Sequence, residues 1–329
     1  MPFSDIYGQD KQVSVLQGAM LNERVPHAFL FQGIRGVGKK TTAKIFAKAL
    51  NCEVGNADSC DVCRSCLKID HGAHPDIVFI EPEGAFIKIE KIRELQAQIK
   101  FRPFEGKKRV FVIADADRMN DTSANALLKT LEEPTSSNIL ILITARAHKL
   151  PQTVISRCQK LRFNPVRSEI IASFLTDRMS MDENQALEVA SAAAGSIGRA
   201  QEIKDGASVD FKNDVIRTFF TAGQSPDYRR IRLFFLADSF GTDRDSAMLK
   251  LDIFREWYRD VMVYRESHDV EKLIHRDIAD VTKELSERMA GADILKNIQT
   301  VSHAYDAIDR NASRQLILES MALRLKGLS

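Results

Sequence analysis

The chain has 329 residues, 44% hydrophobic and 28% charged, with 47 Lys and Arg against 45 Asp and Glu for a net charge of +2. This balance excludes a disordered or collagen-like chain and gives no polyanion-binding signal of its own; the length suits about two or three domains with separate cores. The opening residues lack a basic and then apolar leader, and no apolar run reaches bilayer length, so the expectation is a cytoplasmic protein with no membrane partner.

Val13, Leu16, Met20 and Leu21 repeat at helical spacing ahead of a short apolar run, Ala28-Phe29-Leu30-Phe31, that reads as a buried strand. Gly33, Gly36 and Gly38 follow, then Lys39 and a helix-forming segment whose stripe is Ala43, Ile45, Phe46 and Leu50. Strand, G-x-x-x-x-G-K loop and helix together make a phosphate-cradling P-loop, with backbone amides around the anion and Lys39 as the point charge. The next position departs from that pattern. A working P-loop has Ser or Thr there as a magnesium ligand, and this chain has Lys40. Thr41, the nearest hydroxyl, is turned away by roughly 100° on a helix. The loop is thus expected to hold ATP or ADP poorly, if at all, and to be badly built for hydrolysis.

Cys52, Cys60, Cys63 and Cys66 form C-x7-C-x2-C-x2-C, four of the five cysteines of the chain. Four thiolates at such spacing close a tetrahedral shell, which suits structural zinc in a reducing compartment. The bacterial iron–sulfur run would place a further cysteine at position 70, which is Asp70. His71 and His74 are nearby but unneeded.

Strands are expected at Ile77 to Ile80, Val110 to Ile113, Ile139 to Thr144 and Lys160 to Phe163, alternating with helices over 89–99 and 121–134, which predicts a mainly parallel sheet. At the end of the second of these strands stands Ala114-Asp115-Ala116-Asp117, where P-loop ATPases carry a magnesium carboxylate and a water-orienting acid. In one register the pair is Ala114 and Asp115, in the other Asp115 and Ala116; either way it is incomplete. The strand pattern stops near Asn164-Pro165-Val166, three short helices follow over 168–204, and only helical periodicity remains from about 208. Its aromatics, including Phe219-Phe220, Phe234-Phe235, Phe254 and Trp257, read as core or as a surface for a partner helix.

Several separated motifs converge: FSDIYGQ (3–9), HAFLFQGIRGVGK (27–39), the four cysteines, ANALLKTLEEP (124–134), KLPQTVISRC (149–158), GSIGRA (195–200) and NASRQLILE (311–319). On these the chain resembles the AAA+ clamp-loader subunits of bacterial DNA polymerase III from end to end. The resemblance implies an α/β then all-α architecture: an AAA+ domain with a zinc module at about 52–66 over residues 1–165, a helical lid over 166–207 and a helical collar over 208–329. Counting back from Asn125 puts the family's magnesium aspartate at Ala114, so Lys40 and Ala114 each lack a metal-related group. That favours the delta-prime kind of subunit, without ATPase activity of its own, over a gamma/tau-like ATPase motor; the absence of a long C-terminal extension agrees. A third reading, a separate P-loop kinase with a zinc lid, lacks an acceptor-binding motif. The family also implies that Arg157, on spacing alone an ordinary surface arginine, acts as a finger in trans on a neighbour's ATP, and that Thr144 and Arg199 lie near its two sensor positions. Implied partners are the gamma/tau motor and delta subunits in a hetero-pentamer, and through it the sliding clamp and primed DNA.

Overall fold

The computed structural model describes residues 1–84, 86–135, 137–204, 216, 236–240, 244–310 and 312–326. They fall into two compact units, Met1–Ala190 with Gly195–Arg199, and Ser191–Ala194 with Ala200–Ser329. The expected boundary at 207/208, Phe219-Phe220, Phe234-Phe235 and Asn311 of the last motif lie outside the described residues.

The first unit is built on five parallel strands, β1 (Ala28–Gln32), β2 (Ile77–Ile80), β3 (Arg109–Ile113), β4 (Asn138–Thr144) and β5 (Gln159–Arg162), in the order β2-β3-β4-β1-β5. Strands buried on both faces read as continuous apolar runs rather than alternations, which is why β1, β3 and β4 were visible in sequence, whereas β5 buries only Leu161. The period of two still assigns the faces. Ala28 and Leu30 point into the layer of Phe111, Leu140, Leu142, Leu127 and Val154, whereas Phe29 meets Phe46 edge-on, with ring centroids 5.4 Å apart. The helices of this unit are α1 (Asp10–Leu21), α2 (Lys39–Asn51), α3 (Arg64–Asp70), α4 (Ile89–Gln98), α5 (Asp121–Glu132), α6 (Gln152–Ile155) and α7 (Ser168–Met179), while α8 (Glu183–Ala192) and α9 (Ile197–Lys204) each have residues in both units. This is a parallel-sheet α/β fold, with the three short helices expected over 168–204. Helix α2 starts at Lys39, four residues before its apolar stripe, because Gly38 at φ 100° turns the chain directly into the first helical turn. Register places Gln32 beside Thr144 and Ile113 beside Leu142, so the segments leaving β1, β3 and β4 share the carboxyl edge of the sheet, where open α/β sheets bind ligands.

One fully buried carboxylate fixes the return into β3. Asp76 accepts backbone N–H groups of Phe104 (2.7 Å), Glu105 (2.9 Å) and Gly106 (2.8 Å), and Arg109 Nη2 lies 3.0 Å from its Oδ1. Burial works against its ionised form, but the three amides and Arg109 more than offset this and hold the carboxyl below the usual aspartate range. Removing one partner of such a set strands the others, so Asp76→Ala is expected to destabilise the first unit by about 3 kcal/mol, read as lost hydrogen-exchange protection in β2 and β3. Since the folded pKa is depressed, the stabilisation is present above the unfolded value of about 3.9 and is lost as pH falls through the lower folded value. Asp76→Asn should flatten the stability profile of these strands below about pH 4; a profile as steep as the wild type's would refute this account.

The second unit is helical: among its described helices are α10 (Arg244–Ser267), α11 (Ala279–Arg288), α12 (Gly291–Asp309) and α13 (Arg314–Arg324). Phe254 and Trp257, three residues apart and therefore on one helical face, are fully buried and stack with centroids 5.8 Å apart. The Trp257 indole N–H donates to Thr282 Oγ1 at 3.1 Å, so these two aromatics belong to the unit's own core rather than to a partner-facing surface.

Candidate nucleotide site, finger arginine and metal centre

The loop after β1 keeps the form of a phosphate cradle. Lys39 Nζ donates to the carbonyl oxygens of Gly33 and Ile34, both at 2.6 Å, which holds its side chain across the loop. Burial pulls its ammonium down to about 8, against the opposing pull of Asp115 and Asp117. Gly36, at φ 73°, lies against the start of α9: its carbonyl accepts Gly198 N–H at 2.9 Å, and a Cβ on it would collide with Ser196 Oγ. Ser196 Oγ also donates to the Arg35 carbonyl and accepts Arg199 N–H at 3.1 Å, so Arg199 is brought to the loop by backbone contacts that only small residues permit.

The metal half of the site is different. Lys40 Nζ turns to the Glu81 carboxylate at 2.5 Å, Thr41 is exposed, and Thr42 Oγ1 donates to the Gly38 carbonyl at 2.9 Å within its own helix. Ala114 offers a methyl group, and Asp115 sits at φ 46° with its side chain more than half exposed, 4.0 Å from Arg118. Magnesium demands near-ideal octahedral oxygen ligation, and these positions provide an ammonium and a methyl where a hydroxyl and a carboxylate are needed. The residues present do not fit the ion.

Two residues here were not singled out from sequence. Asp117, its side chain almost entirely buried, accepts Thr144 Oγ1 at 2.6 Å and Arg146 Nε at 2.8 Å, and Thr144 Oγ1 accepts Arg146 N–H at 2.9 Å. The Thr144 hydroxyl proton is therefore directed at Asp117. The signal available in sequence was the second acid of Ala114-Asp115-Ala116-Asp117, which a turn of 3-10 helix over Ala116–Arg118 carries toward β4.

Arg157 follows α6. Its side chain is 37% exposed, with Nη2 2.7 Å from Glu132 and Nη1 donating to the Thr153 carbonyl at 2.9 Å. An ion pair at such exposure is worth about 0–1 kcal/mol, so it orients the side chain without tying it down.

The four cysteines converge. The Sγ atoms of Cys52, Cys60, Cys63 and Cys66 all lie within 4.8 Å of one another, and they could hold a metal ion. The amide of Cys63 donates to Cys60 Sγ at 3.3 Å and that of Cys66 to Cys63 Sγ at 3.4 Å, and against its burial the backbone donors hold the Cys63 thiol below its ordinary range. His71 Nδ1 instead meets the Leu67 carbonyl, and His74 Nδ1 accepts Asp76 N–H. Beneath the module, Lys48 is fully buried with its Nζ 2.5 Å from Asp61 and 2.6 Å from Asp70. Burial disfavours its charge, yet the two carboxylates more than offset that and raise its pKa.

Residues 8–167 match the family model described as DNA polymerase III, delta subunit, and residues 220–327 the model for its C-terminal part. The chain belongs to the DNA polymerase III delta-subunit family. The DNA polymerase III subunit delta' of Bacillus subtilis is 29% identical over 322 residues, covering 97% of this chain and 96% of that one. The tau subunit of the same organism is also 29% identical, over 98% of this chain but 61% of its own length. A solved gamma subunit-related protein from Thermotoga maritima aligns over 96% of this chain and 100% of that one, with 16% identity and a TM-score of 0.40. Within the clamp-loader family the delta' type is supported over the gamma/tau motor type, and membership implies other clamp-loader subunits as partners. Among the described residues, no helix is long and apolar enough to cross a membrane.

Proposed function

We propose that the chain is the non-hydrolysing member of a DNA polymerase III clamp loader, a stator that lends Arg157 in trans to the ATP bound by a neighbouring motor subunit. The observation that carries this reading is the asymmetry of the site: the phosphate loop is intact, both magnesium positions are replaced at Lys40 and Ala114, and Arg157 stands exposed on the same unit. A ring partner's nucleotide would accept the guanidinium as it leaves Glu132, and positive charge there stabilises the phosphoryl group in transfer. Residues 1–165 would form the nucleotide-binding-type domain, 166–207 the lid and 208–329 the collar that holds it beside gamma/tau and delta subunits in a hetero-pentamer. The assembled ring would place a sliding clamp on primed DNA. In the cysteine module the ion would be zinc, because four soft thiolates with two amide donors leave no open coordination position for catalysis.

If ATP or ADP is held, residues 33–39 would take its phosphates, with Asp115, Thr144 and Arg199 around them. Nothing in that set activates water. The isolated chain given ATP and magnesium chloride is therefore expected to release no phosphate above the level of a Lys39→Ala variant. Robust turnover that Lys39→Ala abolishes would make the chain a motor and end this reading.

A further inference from the structure

We infer that this chain's phosphate loop takes a nucleoside diphosphate without a divalent cation, the Lys40 ammonium supplying the charge that magnesium supplies in working P-loops. The inference rests on the reading of residues 33–39 as a surviving phosphate site.

Lys40 follows Lys39 directly in the first turn of α2, where unpaired amides and the helix dipole already favour an anion. Lys39 is committed to the Gly33 and Ile34 carbonyls and cannot move without uncovering them. Lys40 has no such constraint. Its partner Glu81 is 54% exposed and its own side chain 59% exposed, a solvent-screened pair that exchanges readily for a phosphate oxygen. The same substitution that removes a magnesium ligand thus places a mobile cation at the first turn of the helix. Loss of the carboxylate at Ala114 belongs with it: an aspartate there would need a metal between itself and the phosphates, whereas a methyl group needs none. One ammonium neutralises one charge where magnesium neutralises two, so the diphosphate is better matched than the triphosphate.

The test is calorimetric titration of the full chain with ADP, once in excess EDTA and once in excess magnesium chloride. Binding in EDTA should match or exceed that in magnesium, and Lys40→Thr should weaken the EDTA value by about tenfold, the loss of one charge-assisted bond. Glu81→Gln, which releases Lys40, should tighten it by about threefold. Lys40 and Glu81 are both surface residues, so neither change should unfold the loop, and unchanged thermal melting would verify that. Magnesium strengthening wild-type binding tenfold, or Lys40→Thr binding ADP in EDTA as well as wild type, would overturn the inference. Absence of ADP binding under both conditions would overturn it together with the surviving phosphate site, and would leave the role of Arg157 to its own assay.

Discussion

Arg157→Ala is expected to lower ATP turnover at the neighbouring motor site by about 10³, the low end of what a finger in trans contributes, with the ring still assembling. The size follows from where the charge acts. In phosphoryl transfer little covalent chemistry falls to the protein, so a guanidinium aimed at the developing charge in a water-poor interface accounts for much of the barrier lowering. On its own unit, by contrast, Arg157 makes a half-exposed pair with Glu132 and one bond to Thr153, and truncating it should change stability by less than about 1 kcal/mol. That separation of effects makes the measurement decisive. The loader is reconstituted so that the motor next to this chain is the only one with a functional P-loop lysine, and single-turnover ATP hydrolysis is followed for wild type and Arg157→Ala. Glu132→Gln, which frees the guanidinium, should leave the rate within about threefold. An intact ring hydrolysing at the wild-type rate with Arg157→Ala would remove the trans role.

The parts of this site visible in sequence are those set by local spacing. Strand β1, the glycines and Lys39 lie within a dozen residues, and the departures at Lys40 and Ala114 are read against fixed positions along the chain. Strands β2, β3 and β4 were legible because a two-sided parallel sheet needs unbroken apolar runs. What escaped depends on register and distant contact. Asp117 becomes a partner for Thr144 and Arg146 only because β3 lies beside β4, a pairing that no periodicity in either strand encodes. The Gly36–Gly198 contact joins residues far apart in the chain, and the spacing of GSIGRA alone gives no hint that its second glycine meets the loop. The amide cage of Asp76, just ahead of β2, is assembled from the far end of the following helix-and-loop segment. Phe254 and Trp257 were ambiguous for a different reason: helical spacing defines a face and not what covers it.

Cys66→Ser is expected to abolish metal binding and to open the module between α2 and α3, the largest stability effect expected in this chain. Structural zinc contributes on the order of 10 kcal/mol of apparent binding free energy in isolated fingers, and here that energy is available only in the folded arrangement of Cys52, Cys60, Cys63 and Cys66. Cys66 is the most enclosed of the four, so a hydroxyl in its place neither ligates zinc strongly nor reaches water. The damage should stay local. Lys48 ties Asp61 and Asp70 to α2 independently of any metal, so the sheet beneath retains its fold while 53–66 loses protection. Metal content by mass spectrometry should show about one zinc per wild-type chain and none in Cys66→Ser, and limited proteolysis should cut the variant and the chelator-stripped wild type at the same positions within that segment. Cys158→Ser is the control: this thiol is also buried, and burial pushes its pKa up to about 12, but it packs in the apolar layer of β4 and α6 away from the other four. A Cys158→Ser chain that keeps its zinc beside a Cys66→Ser chain that loses it assigns the ion to the module, whereas zinc retained by Cys66→Ser would mean that the four thiols do not form its shell.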